Sequence, residues 1–273
     1  MIRLAVPSDS NLKEECVLFM QRIGIDLPSP NGRTHALARN FPLEALLVPE
    51  SEISALVAGG WCDLAIVGSH LLRESKVEVK SLRTLNVGRR RLVIASPTGN
   101  RTPHTLATDM PNLLAFHLKK SNSRAKIIAS NAACTLAETG IADAFFAALD
   151  PTDLTEARGL QIIEKVGETN AVLIAGPTSE SNDVIIDELL MRIDSTQNAM
   201  GKVRVTLQVR RELCDALVSV MPSMRQPTVS VLDDENNMVW SIMDEVRFWD
   251  VAATLKEKGA TNIVLTRVEK VIF

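Results

Sequence analysis

The N-terminal quarter of the chain repeats one pattern: a short apolar run, a polar turn, then apolar residues at helical spacing. Residues 2–6 read as a short buried strand, Pro7-Ser8-Asp9-Ser10-Asn11 is a turn, and Leu12, Cys16, Phe19, Met20 and Ile23 then recur along one helix face. A second apolar run covers 43–48. The helix after it carries Ile53, Leu56 and Val57 and stops at Gly59-Gly60. A third run covers 63–68, with a helix opening at Ser69 or His70. Such alternation leaves few choices besides a parallel sheet covered by helices, and it puts any ligand at the polar turns that follow the strands.

The alternation breaks at 82–87 and 91–96, two strands joined by Gly88-Arg89-Arg90 with no helix between them. This predicts a crossing into a second lobe. That lobe continues with a strand at 105–108, a helix at 111–120 opened by Pro111, a strand at 126–130 and a helix through Leu136. An apolar strand at 141–149 then runs into the polar turn Asp150-Pro151-Thr152-Asp153-Leu154. Strands at 160–166 and 171–175 lead back to the first lobe, followed by an amphipathic helix over 183–195. After Gly201 the order becomes strand 203–209, helix 211–221, strands 227–232 and 238–243, helix 245–258 and strand 262–272. That βαββαβ order is the ferredoxin-like module. The expected division is 1–87 with 167–198 as lobe I, 88–166 as lobe II, and 202–273 as a third domain.

Composition narrows the function classes. With 46% hydrophobic and 23% charged residues, the chain of 273 residues has an ordinary globular balance. A net charge of −3 gives no electrostatic case for nucleic acid or an anionic membrane. No apolar run approaches the ~18 residues of a membrane helix, and residues 1–6 lack a signal peptide's features. A cytoplasmic protein is expected. Cys16, Cys62, Cys134 and Cys214 are scattered, as are His35, His70, His104 and His117, so neither disulfides nor a structural metal are expected.

Several stretches resemble the long form of ATP phosphoribosyltransferase. Cys62-Asp63-Leu64-Ala65-Ile66-Val67-Gly68 is similar to that family's A-D-L-G-I-T-G. Val87-Gly88-Arg89-Arg90-Arg91-Leu92-Val93-Ile94-Ala95 is similar to F-G-R-C-R-L-V-V-A. Leu106 to Leu113 resembles I-A-T-K-Y-P-N-L, Gln226-Pro227-Thr228-Val229-Ser230 resembles S-P-T-V-S, and Val268-Glu269-Lys270-Val271-Ile272 resembles P-I-E-K-V-I. The order of the five is the family's order. The resemblance implies an α/β architecture: a two-lobed catalytic region like a periplasmic binding protein, plus a C-terminal ferredoxin-like regulatory domain. It implies a pentosyl transfer from phosphoribosyl pyrophosphate (PRPP) to N1 of ATP, with Mg²⁺, as the first step of histidine biosynthesis. It further implies histidine as regulator and a homo-oligomer, a dimer or hexamer.

Carried over residue by residue, the resemblance suggests Asp143, Asp150, Thr152, Asp153, Arg89, Arg91, Asp63, Ser8 and Asn11 as substrate-binding positions. Thr228, Ser230, Thr261 and Asn262 would line the histidine site. The chain also departs from the pattern. Where the family's phosphate turn reads D-x-V-S-T-G-T-T-L, this sequence has Ala147-Ala148-Leu149-Asp150-Pro151-Thr152-Asp153-Leu154-Thr155. The ribose-binding carboxylate falls on Ala147 and the loop Gly on Thr152. Pro151 lacks the N–H that a phosphate cradle uses. Asp150 and Asp153 would repel a dianion by several kcal/mol at an effective dielectric of about 20. The first turn has Asp9 and Asn11 for the family's Lys and Arg, and the Glu of the family's G-S-V-E segment falls on Cys134. Two function classes follow: the transferase, acting on its family substrates or on changed ones, or a non-catalytic relative that binds a ligand or regulates a partner.

Overall fold

The computed structural model describes residues 1–8, 12–28, 34–150, 159–177, 179, 183–224 and 226–273. The chain divides into two compact units, Met1–Leu190 and Met191–Phe273.

The first unit opens with β1 (Ile2–Pro7), α1 (Leu12–Arg22), β2 (His35–Leu37), β3 (Leu43–Val48), α2 (Glu50–Ala58), β4 (Leu64–Gly68), α3 (Ser69–Ser75) and β5 (Lys80–Thr84). β1 pairs in parallel with both β3 and β4. Every residue of β4 is buried, as suits a central strand covered on both faces. The helices bury their apolar stripes where the spacing requires: Leu12, Cys16, Phe19 and Met20 on α1, Ile53 and Val57 on α2. Gly60 takes the left-handed φ of +73° that closes α2, a conformation costly for a residue with a Cβ.

The chain then leaves for a second sheet: β6 (Arg90–Ser96), β7 (Thr105–Thr108), α4 (Pro111–Lys120), β8 (Lys126–Ala129), α5 (Ala133–Glu138), β9 (Ala144–Leu149) and β10 (Gln161–Thr169). It returns through Asn170 to β11 (Ala171–Ala175), which lies antiparallel between β4 and β5. The first sheet is therefore ordered β2-β3-β1-β4-β11-β5 and the second β10-β6-β9-β7-β8. The crossings run side by side: Leu85 N–H donates to Ala171 O at 2.8 Å and Ala171 N–H to Val87 O at 3.0 Å. The two strands flanking Gly88 thus belong to different sheets, which is why no helix separates them. In the second sheet the fully buried Phe145 and Phe146 point to opposite faces, Phe146 into a cluster with Leu92, Ile94 and Leu114, Phe145 into one with Ala95 and Ala107. Truncating either ring to Ala would cost about 3–5 kcal/mol.

α6 (Asp183–Ala199) runs across the division between the units. The second unit contains β12 (Lys202–Arg210), a 3₁₀ turn (Arg211–Leu213), α7 (Cys214–Val218), β13 (Thr228–Val231), β14 (Asn236–Asp244), α8 (Glu245–Glu257) and β15 (Thr261–Arg267). Its antiparallel sheet is ordered β13-β14-β12-β15, the ferredoxin-like order. Val203, Val205, Leu207 and Val209 alternate into a core closed by Leu217, Phe248 and Leu255. The helix expected over 211–221 is shorter and begins as a 3₁₀ turn, and the last strand stops at Arg267. Edge strand β2 has no counterpart in the sequence expectations; three residues are too few to show a period.

Candidate active site

Both sheets of the first unit send the C-terminal ends of their parallel strands to one cleft of about 380 Å³. Leu12 follows β1, Glu50 and Ser51 follow β3, Gly68 ends β4, and His70 and Leu71 follow it. From the other sheet come Asp109 and Met110 after β7, Asn131 after β8, and Ala147 and Ala148 at the end of β9. Gly88 and Arg90, from the first crossing, complete the lining.

Arg90 is the central charge. Its side chain is 12% exposed, and both Nη1 and Nη2 donate to Glu15 Oε1 on α1, at 3.0 and 3.1 Å. Nη1 also lies 3.4 Å from Asp150 Oδ2. Glu15 Oε2 in turn accepts the Gly88 N–H at 2.6 Å. One guanidinium thus joins α1, the crossing segment and the end of β9, using the forked geometry that Lys lacks.

Beside it, His70 is buried. Its backbone N–H donates to Thr169 Oγ1 at 3.2 Å, and its Nδ1 lies 3.3 Å from the same hydroxyl. Desolvation, then the neighbouring Arg90 charge, pulls its pKa down to about 4. The imidazole is therefore neutral at working pH. Gly68 makes this packing possible: a Cβ there would lie 2.3 Å from His70 Cε1, and its N–H donates to Glu50 Oε1 at 3.1 Å. Across the cleft, burial and the Glu74 carboxylate push the Asp109 pKa up. Glu74, on α3, accepts the Asn112 and Leu113 N–H groups at 2.9 and 2.8 Å, so a carboxylate of one lobe caps a helix of the other.

The structure brings together fewer of the expected residues than the sequence suggests. Asp150 reaches the cleft charge Arg90, and Ser8 closes the cleft end of β1, donating its N–H to Val48 O at 2.9 Å. Asn11, Thr152 and Asp153 lie outside the described residues. Asp143 and Asp63 stand at strand starts. Asp143 precedes β9 and so sits at the strand end away from the cleft. Its Oδ2 accepts His104 N–H, Thr105 N–H and Thr105 Oγ1–H at 2.8, 2.8 and 3.0 Å, which hold its pKa below the usual carboxylate value. Asp63 precedes β4, and its Oδ2 accepts the Arg3 N–H at 2.8 Å. Both carboxylates tie strand starts together. Arg89 and Arg91 lie apart from the cleft lining: strand alternation turns them away from the side Arg90 faces, into a separate hollow with Lys165.

In the second unit, Thr228 and Ser230 lie on edge strand β13 and Thr261 and Asn262 on the opposite edge β15, with β14 and β12 between. Three interstrand spacings, about 14 Å, separate the pairs. Asn262 Nδ2 donates to Gln208 Oε1 at 2.7 Å, and Thr261 Oγ1 to Gln208 O at 3.3 Å. Within one chain the four residues do not form one site.

A family model described as HisG: ATP phosphoribosyltransferase matches residues 49–195, and one described as HisG, C-terminal domain, matches 199–270. The ATP phosphoribosyltransferase of Cytophaga hutchinsonii is 30% identical over the whole of this chain and 99% of its own. That of Parabacteroides distasonis is 31% identical over the whole of both chains. This chain belongs to the ATP phosphoribosyltransferase family. A solved structure titled ATP phosphoribosyl transferase (HisG:HisZ) complex from Thermotoga maritima shares the fold, with a TM-score of 0.58 at 16% identity over 71% of this chain and 98% of that one. Against the family's F-G-R-C-R, the central Cys is Arg90 in this member, and Ala147 and Ala148 both line the cleft. Sequence reading passed over Arg90, although it shares strand parity with the buried Leu92 and Ile94. It also passed over Glu15, Glu50 and His70, whose roles depend on contacts across the fold.

Proposed function

We propose that the chain transfers the phosphoribosyl group of PRPP to N1 of ATP, releasing pyrophosphate, in the cleft between the two sheets, as the first step of histidine biosynthesis. The observation that supports this is a whole-chain match to relatives of that name, in a fold whose cleft collects the strand ends of both lobes. Both substrates are polyanions, and among the described lining residues Arg90 is the one fixed cation, with Glu50 and Asp109 also in the lining. Mg²⁺, carried by the donor, would supply the missing positive charge on the departing pyrophosphate. Among the described residues no three His, Cys, Asp or Glu side chains gather to hold a metal, so the pyrophosphate oxygens would be its main ligands. Arg90 orients phosphate oxygens from the crossing segment, the neutral His70 presents an uncharged ring to the purine side, and the walls exclude water from an oxocarbenium-like centre. With Ala147 in place of a carboxylate, the ribose hydroxyls lose a β9 acceptor, and a raised KM for PRPP follows.

The direct test follows phosphoribosyl-ATP formation by ultraviolet absorbance with ATP, PRPP and Mg²⁺. Turnover that needs all three supports the reading. ATP binding with no adduct under any Mg²⁺ concentration would instead make the chain a non-catalytic relative. We further infer a homo-oligomer, dimer or hexamer, acting in the cytoplasm, with histidine acting through the second unit, which matches the family's C-terminal domain. Sedimentation with and without histidine checks both. Among the described residues no helix is long and apolar enough to cross a membrane.

A further inference from the structure

Among the described residues, two carboxylates line the cleft, Glu50 and Asp109. Glu50 Oε1 already accepts the Gly68 N–H at 3.1 Å. Asp109 stands differently. It directly follows β7, which runs parallel to β9 with Leu106 opposite Ala144 and Ala107 opposite Phe145. Two residues further on, Asp109 comes level with Ala147, one interstrand spacing of about 4.8 Å to the side. Its base is fixed. Thr108 before it and Met110 after it are buried, and the Met110 N–H donates to Thr108 Oγ1 at 2.9 Å. Thr108 O accepts the Ser130 N–H, from the end of β8, at 2.8 Å. Asp109 itself is exposed to the cleft between these two anchors.

The carboxylates around it are committed. Glu15 holds Arg90 and the Gly88 N–H, Asp150 approaches Arg90, and Glu74 caps α4 through both oxygens. On Asp109, three influences act: burial by the cleft walls, its own backbone N–H, and the Glu74 carboxylate nearby. The N–H is its one donor among the described residues. A carboxylate offers about four acceptor positions, so most of that capacity is turned to the cleft. A partly desolvated carboxylate gains most when hydroxyl donors fill such positions. Ala147 and Ala148, at the neighbouring strand end, carry methyl groups that leave room and bring no competing donor. A vicinal diol suits this place, because two hydroxyls on adjacent carbons match the two oxygens of one carboxylate.

We propose that Asp109 is a substrate-binding residue, whose two carboxylate oxygens accept the vicinal hydroxyls of the donor's ribose. The identity of the diol rests on the transferase reading, in which the donor brings a ribose into this cleft. Selection of ribose over deoxyribose then comes from the end of β7, one strand to the side of Ala147.

The test measures binding to the full chain by calorimetry, with ribose 5-phosphate, its 2-deoxy analogue and inorganic pyrophosphate as probes. The parent should bind ribose 5-phosphate about tenfold more tightly than the deoxy analogue. Asp109→Ala should bring that ratio to about one, while pyrophosphate, which has no hydroxyl on carbon, binds at least as tightly as before. Asp109→Ala combined with Ala147→Asp moves the carboxylate one strand over and should restore part of the preference, which repair of a folding defect would not do. The proposal is overturned if the parent shows no preference, or if Asp109→Ala keeps it. It is also overturned if the preference lost is that for ATP over 2′-deoxy-ATP while the one for ribose 5-phosphate stays. The two readings fail separately. A preference that Asp109→Ala abolishes, in a chain that forms no phosphoribosyl-ATP, keeps Asp109 as the diol acceptor and removes the transferase. Turnover with an unchanged preference in Asp109→Ala does the reverse.

Discussion

Replacing Arg90 by Ala tests the central feature of the cleft. The guanidinium makes two hydrogen bonds to Glu15, at 3.0 and 3.1 Å, and approaches Asp150 at 3.4 Å. The three side chains are 12%, 34% and 18% exposed, so water competes only in part. Gross attraction at such distances is about 5 kcal/mol per pair at an effective dielectric near 20, and desolvation with side-chain ordering offsets most of it. A net loss of about 2 kcal/mol is expected, by analogy with charge-assisted hydrogen bonds between half-buried groups. For a chain of this size that lowers the melting temperature by about 5 °C. The Arg90→Ala and Glu15→Ala substitutions, alone and together, form a double-mutant cycle read by urea unfolding. The coupling should be about 1–1.5 kcal/mol, because both singles also disturb other partners and those losses cancel in the cycle. Arg90→Lys should recover less than half, since an ammonium cannot fork. A coupling below about 0.3 kcal/mol would refute the reasoning: the two groups would then be neighbours without energetic contact.

Acid should weaken the fold through His70. Its folded pKa is lowered from 6.5 to about 4, so the unfolded chain takes up the proton first, and stability falls as the pH drops from about 6.5 towards 4, by up to about 3 kcal/mol. His70→Asn should flatten that slope in urea titrations at stepped pH. Asp143→Asn should cost about 1 kcal/mol of stability, as loss of a capping carboxylate does, while turnover per folded molecule stays unchanged. A selective loss of turnover would return Asp143 to the substrate. Gly68→Ala forces a Cβ to 2.3 Å from His70 Cε1 and should destabilise by about 1–3 kcal/mol in thermal melts, with a raised KM as the ring is displaced into the cleft.

Which carboxylates belong to the site was beyond the reach of local pattern. Asp63 and Asp143 sit beside the right strands, and motif comparison puts both at the ligand. Yet each precedes its strand, and parallel strands carry ligands at the other end. Counting along β4 and β9 would have separated them from Asp150, which follows β9. Arg89, Arg90 and Arg91 show the converse. Three consecutive basic residues look equivalent as text, but a strand sends alternate side chains to opposite faces, and only Arg90 meets the cleft. The regulatory candidates lie apart for a third reason: Thr228 and Asn262 are brought to opposite edges because the ferredoxin-like order threads β12 and β14 between them.

The order of apolar runs and helical stripes, with glycine stops such as Gly60, already fixed the α/β class and the βαββαβ tail, because periodicity and φ preference act over a few residues. Family membership was legible for the same reason, in short motifs kept in order. What only the folded chain decided is which charges meet. Glu15 and Arg90 are 75 positions apart and Ser69 and Thr169 are 100 apart, and each pair is brought into contact by the two sheet crossings. Electrostatic attraction falls off over ångströms of space and takes no account of separation along the chain.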